Sequence, residues 1–167
     1  MLASRPQHGY ELMAHFEAPA ELGRVWTMSR SQVYAVLKRL ELQGLIRGRP
    51  MRGQDAPDRV QYSVTAAGRR QLEGWLLESE PSASVRSIRV EFISKLHVAE
   101  RLGRSPDPII GRQRSGCRRH LRVLQAAREE ATSATERRSL DFVIGQLRAA
   151  ISWLDEISVT SPVGGDV

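Results

Sequence analysis

Three observations predict a mainly α-helical protein built from two parts. Apolar residues recur at helical spacing in six segments of the 167-residue chain. Only one pair of short segments, near residues 45–49 and 60–65, has the composition and alternation of β-strands. A proline-containing break at residues 79–84 separates these strands and their helices from three further helical segments. The predicted fold is therefore an N-terminal domain with a two-stranded hairpin, followed by a C-terminal domain of antiparallel helices.

The composition excludes several classes of protein. A hydrophobic share of 41% and a charged share of 26% are those of an ordinary globular chain, not a disordered one. A single cysteine permits no internal disulfide, and no basic-then-apolar leader is present, which predicts a cytoplasmic protein. No apolar run approaches the roughly 18 residues that span a bilayer, so we expect no membrane partner. Lys and Arg number 25 against 19 Asp and Glu, a net charge of +6 that favours a polyanionic partner.

The positive charge is concentrated in two segments. Residues 29–70 carry nine Lys and Arg against three Asp and Glu, and residues 101–122 carry seven Arg against one Asp. Each segment alone has a net charge of +6, equal to that of the whole chain. The first segment coincides with the clearest predicted helix and with the hairpin.

That helix begins after Ser29, a favourable N-cap, and ends before Gly44. Its buried stripe has i, i+3, i+4, i+7 spacing and comprises Val33, Val36, Leu37 and Leu40. The opposite face carries small and basic side chains. A first strand starts at Leu45 and is followed by a polar turn at residues 50–59. In a second strand over residues 60–65, apolar and polar side chains alternate. Thr65 then caps the next helix, which runs to about residue 78. A short helix over residues 8–17 precedes these elements, with Tyr10, Met13 and Phe16 as its apolar ridge.

The order helix, loop, helix, hairpin, helix in residues 1–78 is that of a winged helix-turn-helix. Such a domain anchors a recognition helix by one apolar face and offers small and basic side chains to base edges in the major groove. Arginines of the wing contact phosphate or the minor groove. The alternative for these residues is a merely solvated surface. The predicted DNA-binding residues are Arg30, Ser31, Gln32, Tyr34, Lys38, Arg39, Arg49, Arg52 and Arg59.

The remaining chain is predicted to form a linker at 79–84, a helical domain at 85–160 and a flexible tail at 161–167. Helices are expected over 85–102, 108–131 and 136–158. The apolar arc of the last helix is wider than one stripe and needs two neighbours, one of which a partner subunit supplies. The predicted homodimer contacts are Phe92, Leu96, Leu140, Val143, Ile144, Leu147, Ile151 and Leu154.

Three features of this helical domain leave alternatives open. Phe142 and Trp153, eleven residues apart on one flank, are either plain dimer core or the lining of a pocket for a small aromatic or cationic effector. The arginines of 112–122 either contact flanking phosphates or pair with Glu129, Glu130 or the acidic last helix. Cys117 lies on an apolar stripe, which favours a packed side chain over a redox-sensing thiolate.

Nothing in the sequence predicts an enzyme. The four histidines are scattered without ligand spacing, so no metal site is expected. No nucleophile–base constellation, phosphate-cradling loop or dinucleotide fingerprint is present, so no cofactor is expected.

Several motifs resemble the PadR family of bacterial transcriptional regulators. They are the segment His8-Gly9-Tyr10-Glu11-Leu12, the run from Val33 to Glu41 with Gly44-Leu45-Ile46, and the later residues Arg59, Tyr62, Val64-Thr65 and Ala67-Gly68-Arg69. The resemblance implies a homodimeric repressor that dimerises through its C-terminal helices, is released from operator DNA by a small effector, and uses Tyr34, Lys38 and Arg59 at the DNA.

The chain also departs from the family pattern. Arg30-Ser31 replaces the usual Pro-Gly pair, Ala35 replaces a proline, and Val60-Gln61 replaces a Lys-Tyr pair. The family has a full first helix before the His-Gly-Tyr motif, and here only Met1–Gln7 precede it, so this helix is expected to be truncated or its place covered by other elements.

The sequence thus predicts a regulator that binds double-stranded palindromic operator DNA as a homodimer. The alternative is a winged-helix module for protein interaction that binds DNA only non-specifically.

Overall fold

The computed structural model describes residues 1–17, 23, 27–51 and 59–159, which fall into two compact units. The first comprises Met1–Leu77 together with Ser94–Arg104, and the second comprises Glu78–Ile93 and the residues from Ser105 onward. The first unit holds the β-sheet, and the second holds two long helices. The predicted fold class is confirmed.

The first unit is centred on helix α2 (Arg30–Leu42), which follows strand β1 (Gln7–His8) and helix α1 (Gly9–Glu17). A buried cluster joins the three elements, and its members are Leu12, Val33, Leu37 and Ile46. Met13 and Phe16 pack against this cluster as predicted, but Tyr10 is 53% exposed. The buried ridge of α1 therefore runs through Leu12 and Phe16, which are one turn apart, and excludes Tyr10.

Both ends of α2 have the caps that the sequence predicts. The hydroxyl of Ser29 accepts a hydrogen bond from the backbone N–H of Gln32, and the Gln32 side chain accepts one from the Ser29 N–H at 2.8 Å, which completes a capping box. Gly44 has a φ of +68°, the left-handed conformation that favours glycine after a helix.

The sheet is antiparallel and has three strands in the order β1-β3-β2, with β2 at Ile46–Met51 and β3 at Arg59–Val64. The prediction of two strands missed β1, whose two residues pair with Tyr62 and Gln61. The predicted turn at 50–59 was too long, because Pro50 and Met51 pair with β3. Pro50 is tolerated there since β2 is an edge strand.

Helix α3 (Ala66–Leu76) starts at Thr65, whose hydroxyl accepts from the N–H of Gly68 and donates to the carbonyl of Gly44 at 2.7 Å. Gly68 lies so close to the start of β2 that a Cβ atom would stand 2.0 Å from the carbonyl oxygen of Leu45. The contact between α3 and the hairpin therefore requires glycine at this position.

The predicted helix over 85–102 is interrupted. Helix α4 (Val85–Ser87) passes through a π-helical turn at Ile88–Phe92 into helix α5 (Ile93–Arg101). A π turn inserts a residue into the helical repeat, so the face that each part buries changes across it. The division between the units falls after Ile93, so Ser94–Arg104 belongs to the first unit and not to a separate domain that begins at 85.

The second unit is a helical hairpin of α6 (Asp107–Glu130) and α7 (Ala134–Val159). The helices are antiparallel, because Arg128 pairs with Asp141 while Arg118 pairs with Asp155. The predicted linker at 79–84 contains no helix or strand and is held against α6, where the Gln113 amide donates to the Ser82 carbonyl at 2.8 Å. The predicted tail at 161–167 lies outside the described residues.

Substituting Gly68→Ala should destabilise the protein by at least about 2 kcal/mol, because the new methyl group meets a backbone carbonyl that cannot move away without opening the hairpin. Gly74→Ala in the same helix is the matched control, since a Cβ at Gly74 meets no described atom within 4 Å apart from its chain neighbours and the helix's own backbone. We expect that control to be stabilised by roughly 0.5–1 kcal/mol. Chemical denaturation of both variants measures the difference, and equal stabilities would contradict the close approach.

Candidate nucleic-acid interface

Helix α2 presents a continuous polar face to solvent. Val33 and Leu37 are 4% and 3% exposed and fix the helix by its inner side. The predicted contact residues on the other side are all exposed, namely Arg30, Ser31, Gln32, Tyr34, Lys38 and Arg39. The apolar stripe therefore decides which side chains face outward, as the helical spacing predicts.

Two of these residues also serve the helix itself. The side-chain oxygen of Gln32 is used in the capping box, and the Ser31 hydroxyl lies 3.0 Å from the Ser29 hydroxyl. The amide NH₂ of Gln32 remains the group with which this residue can meet a ligand. Sequence reasoning assigned Gln32 to DNA alone and missed its capping role.

Tyr34 lies between α1 and the start of α2. Its ring packs on the backbone of Gly9, where a Cβ atom would stand 2.9 Å from the ring. The guanidinium of Arg30 lies 5.8 Å from the ring centroid, within reach of a cation–π contact. The ring is 39% exposed, so Tyr34 is held in place and still offers an edge to solvent.

The outward face of the sheet is basic. In the β2–β3 register, Arg49 lies opposite Gln61, which lies opposite His8 on β1. Directly opposite residues of an antiparallel sheet point to the same face, and so do residues two apart on one strand. Arg47, Arg49 and Arg59 therefore share this face with His8, while the buried Ile46 points to the other side. Of the predicted wing residues, Arg52 lies outside the described residues.

Sequence reasoning missed three residues of this surface. Arg47 was not selected, although strand alternation alone places it two residues from Arg49. His8 and Tyr10 were assigned to a helix start and a core ridge. In the structure their rings stack with centroids 5.6 Å apart, and Arg59 lies 5.5 Å from the centroid of the Tyr10 ring.

The cations on the outward faces of α2 and of the sheet are not neutralised within the described part of the chain. There, Arg30, Lys38, Arg39, Arg49 and Arg59 form no ion pair with a carboxylate. The acid of α2 points elsewhere, since a Glu41 oxygen accepts a hydrogen bond from the N–H of Gly48 at 2.7 Å. An unpaired set of cations on α2 and the sheet attracts a polyanion.

An apolar groove of about 640 Å³ lies in the first unit behind α2. Its wall includes Met1, Leu2, Phe16 and Leu72, and Met1 and Leu2 also pack against the buried cluster. Among the described residues that line it, Arg39 is the one with a charged side chain. Of the predicted contact residues on α2, Arg39 is thus the one that borders this groove, whereas Lys38 is not part of it.

Four of the seven arginines in the second basic segment are paired with acids. Arg104 makes two hydrogen bonds to Glu73, which lower the pKa of that carboxyl. Arg114 and Arg118 both reach Asp155, and Arg119 reaches Glu80. Of the two alternatives for residues 112–122, pairing with the acidic last helix is the one observed, although Glu129 pairs with Arg128 instead.

Cys117 is a packed core residue. Its side chain is fully buried on α6, and burial raises the pKa of the thiol above its usual range. The Gln113 amide lies 3.5 Å from its sulfur. The predicted structural role is confirmed.

Half of the predicted dimer residues are used inside the chain. Phe92, Ile144, Leu147 and Leu154 are at most 5% exposed without any partner subunit. A side chain buried in one chain has little surface left for another, so these four belong to the intramolecular core of the second unit. The other four keep exposed surface: Leu96, Leu140, Val143 and Ile151.

Phe142 and Trp153 have different surroundings. Phe142 is 66% exposed, whereas Trp153 packs edge-on against Phe92 with ring centroids 5.9 Å apart. Eleven residues of helix place the two positions roughly 16 Å apart along the axis, too far to flank one small ligand within a single chain. The effector pocket stays a prediction that requires a second subunit.

Other site chemistries find no support in the described ranges. Residues 1–17, 23, 27–51 and 59–159 contain no group of three or more His, Cys, Asp and Glu side chains able to hold a metal ion. Over those same ranges, no helix has the length and apolar character that crossing a membrane requires.

The anchored helix, the basic hairpin and the helix that follows define a winged helix-turn-helix domain. Residues 1–74 match the model of a family described as the transcriptional regulator PadR-like family. The resemblance stated from the sequence is thereby confirmed over residues 1–74, which are less than half of the chain.

Two curated relatives are 29% identical to the chain. One is the negative transcriptional regulator PadR of Bacillus subtilis, matched over 96 residues that make up 58% of this chain and 50% of the relative. The other is a Mycobacterium tuberculosis protein described as a probable transcriptional regulator, matched over 77 residues, or 46% of this chain and 40% of the relative. The matched segments thus span about half the length of these relatives or less.

Solved structures of the B. subtilis PadR protein are similar to the whole chain at lower identity. The complex with operator DNA has a TM-score of 0.46 at 23% identity and covers 96% of this chain and 93% of that one. The complex with p-coumaric acid has a TM-score of 0.41 at 23% identity and covers 95% and 89%.

The native protein at pH 8 should react with a maleimide at least about 100-fold more slowly than after denaturation, because Cys117 is buried and its thiol stays protonated. Ser115 is exposed on the same helix. A variant that combines Cys117→Ala with Ser115→Cys is therefore the matched control and should react at once. Native labelling as fast as this control would contradict the burial of Cys117.

Proposed function

We propose that the chain is a sequence-specific DNA-binding repressor that binds a palindromic operator as a homodimer. One observation carries the proposal: α2 is anchored by Val33 and Leu37 and exposes Arg30, Lys38 and Arg39, none of which pairs with a described carboxylate. A helix with those properties fits the major groove of DNA.

The two parts of the surface perform different tasks. The 13 residues of α2 form a helix about 20 Å long, enough to follow the groove over one half-site. In this proposal Lys38 and Tyr34 contact base edges, while Arg49 and Arg59 on the sheet contact phosphates. The phosphate contacts supply affinity that falls as salt is raised, and the base contacts supply specificity.

The second unit supplies the dimer. Apolar side chains remain exposed on both of its long helices, with Val123 at 63%, Phe142 at 66% and Val143 at 38%. A second copy that covers these side chains removes them from water. Two-fold symmetry of the dimer then requires a palindromic operator with half-sites about one helical turn apart.

Repression is supported by the B. subtilis relative, which is a negative transcriptional regulator by name. A dimer that occupies an operator excludes other proteins from the same stretch of DNA. Release by a small aromatic or cationic effector belongs to the same proposal. The exposed ring of Phe142 is the aromatic face that such an effector would contact at the proposed subunit interface.

Replacing Lys38 and Arg39 together with Ala should weaken binding to the DNA upstream of its own gene by about 100-fold or more, since each lost contact costs roughly 1–3 kcal/mol. Arg70→Ala with Arg138→Ala removes the same charge from exposed positions elsewhere and should weaken binding by less than about threefold. Fluorescence anisotropy measures both variants, with circular dichroism as the check on folding. Equal binding by the two variants would overturn the recognition-helix assignment.

The same titration separates the two candidate functions. A repressor discriminates its operator from a scrambled duplex by about 10³-fold or more. A wild-type protein that binds both duplexes weakly and equally would instead be the winged-helix module for protein interaction.

Phe142→Asp should convert the dimer into a monomer at micromolar concentration, because it places a charge in the apolar contact between subunits. Ser152→Asp, an exposed position on another face of α7 turned away from Phe142 and Val143, is the control and should leave the dimer intact. Multi-angle light scattering reads twice the 18.7 kDa chain mass for a dimer. A monomeric wild-type protein would contradict the homodimer.

A further inference from the structure

A stack of three side chains lies where α1 meets the sheet. The rings of His8 and Tyr10 are nearly parallel, with an interplanar angle of 7° and centroids 5.6 Å apart. The guanidinium carbon of Arg59 lies 5.5 Å from the Tyr10 centroid. His8 is fixed in turn by its Nδ1, 3.2 Å from the Val60 carbonyl. We call His8, Tyr10 and Arg59 the tyrosine stack.

Tyr10 has no role in the core of the first unit. It is 53% exposed, and its hydroxyl makes no hydrogen bond with another described residue. Because the side chain is about half exposed, its burial contributes little to the stability of the fold. Its ring holds the guanidinium by one face, and the five N–H donors at the guanidinium edge stay available. The stack thus orients Arg59 without consuming its hydrogen-bonding groups.

The charge around the stack is positive. The nearest acid on α1 is Glu11, and both of its oxygens are engaged, one by the N–H of His8 at 2.7 Å and the other by Arg5 at 3.1 Å. The hydrogen bond from the His8 N–H lowers the pKa of Glu11. Along the same sheet face, the row His8, Gln61, Arg49 leads from the stack to the edge strand. A phosphodiester meets cations on this path and no unpaired carboxylate among the described residues.

The stack also has a fixed link to the recognition helix. Gly9 lies between His8 and Tyr10 in the chain, and the ring of Tyr34 packs on its backbone. Strand β1, the start of α1 and the Tyr34 side chain of α2 therefore meet at Gly9. A ligand on Tyr10 and Arg59 would lie beside a ligand that α2 contacts through Tyr34.

We propose that Tyr10 is a further DNA-contacting residue, which donates its hydroxyl to a backbone phosphate and holds Arg59 for a second hydrogen bond to the phosphate backbone. The contact reads no sequence, because a phosphate is the same at every base pair. It fixes the register in which α2 enters the groove. The inference rests on the DNA-binding function proposed above and adds to it Tyr10, a residue outside the recognition helix and the wing.

Two substitutions at Tyr10 separate its two roles. Tyr10→Phe keeps the ring over which Arg59 is held and removes the hydroxyl, so affinity should fall by about 3- to 10-fold, the loss of one hydrogen bond to a charged group. Tyr10→Leu also releases Arg59 and should lower affinity by about 10- to 100-fold. Adding Tyr10→Leu to Arg59→Ala should cost no more than Tyr10→Phe alone, because the guanidinium is already absent.

The readout is affinity for operator and for scrambled DNA at two salt concentrations. A phosphate contact weakens binding to both duplexes by the same factor, whereas a base contact weakens operator binding selectively. Arg59→Ala should lower the slope of log affinity against log salt by about one, and Tyr10→Phe should leave the slope unchanged. Arg70→Ala is the exposed-arginine control, and thermal unfolding checks that each variant is folded.

The outcomes distinguish this inference from the function on which it rests. If the Lys38–Arg39 double variant loses operator binding and Tyr10→Leu loses less than twofold, the DNA-binding function stands and the role of Tyr10 is overturned. Loss confined to the operator would also overturn a backbone contact. A wild-type protein that binds an acidic protein segment through this surface and no DNA would overturn both proposals.

Discussion

The structure of the proposed DNA-binding surface depends on the burial of one stripe of α2. Val33 and Leu37 pack with Leu12 and Ile46, and each buried side chain contributes roughly 1.5–3 kcal/mol. This burial sets the rotation of α2 about its own axis. The cations on the opposite face are then presented to solvent without any further device, and a helix rolled by one residue would bury Lys38 or expose Leu37. The caps at Ser29 and Gly44 limit the helix to the segment whose apolar stripe faces the buried cluster.

The short strand β1 fixes the positions of the other side chains of this surface. Its pairing with β3 places His8 on the outward sheet face and starts α1 so that Gly9 lies under Tyr34 and Tyr10 lies under Arg59. Side chains from the helix and the sheet are thereby held relative to one another by backbone pairing and not by flexible loops. Such fixed placement reduces the side-chain entropy that is lost when a ligand is bound.

The elements with strong local signals were predictable from the sequence. Periodicity and capping gave α2 with both ends, and alternation gave the hairpin. The two-residue β1 has too little sequence for a pattern, and the π turn at Ile88–Phe92 arises from packing that no local preference encodes. The wide apolar arc of α7 was correctly identified, but a single chain cannot show from its sequence which side of that arc faces α6. Ile144 and Leu147 were therefore assigned to a partner subunit, although they are buried against the chain's own helices. Cation–π contacts such as Arg59 on Tyr10 join residues 49 positions apart and have no local signature.

The most direct test of the account is to identify what α2 touches on DNA. A photo-crosslinking side chain at position 38, on the outward face, should form adducts with bases inside both operator half-sites when the dimer is bound. The same side chain at position 148, exposed on α7, should form none. Adducts from position 38 at symmetric base positions are the result that the account predicts. A protein that protects the operator from cleavage but gives no adduct at position 38 would show that another surface reads the DNA.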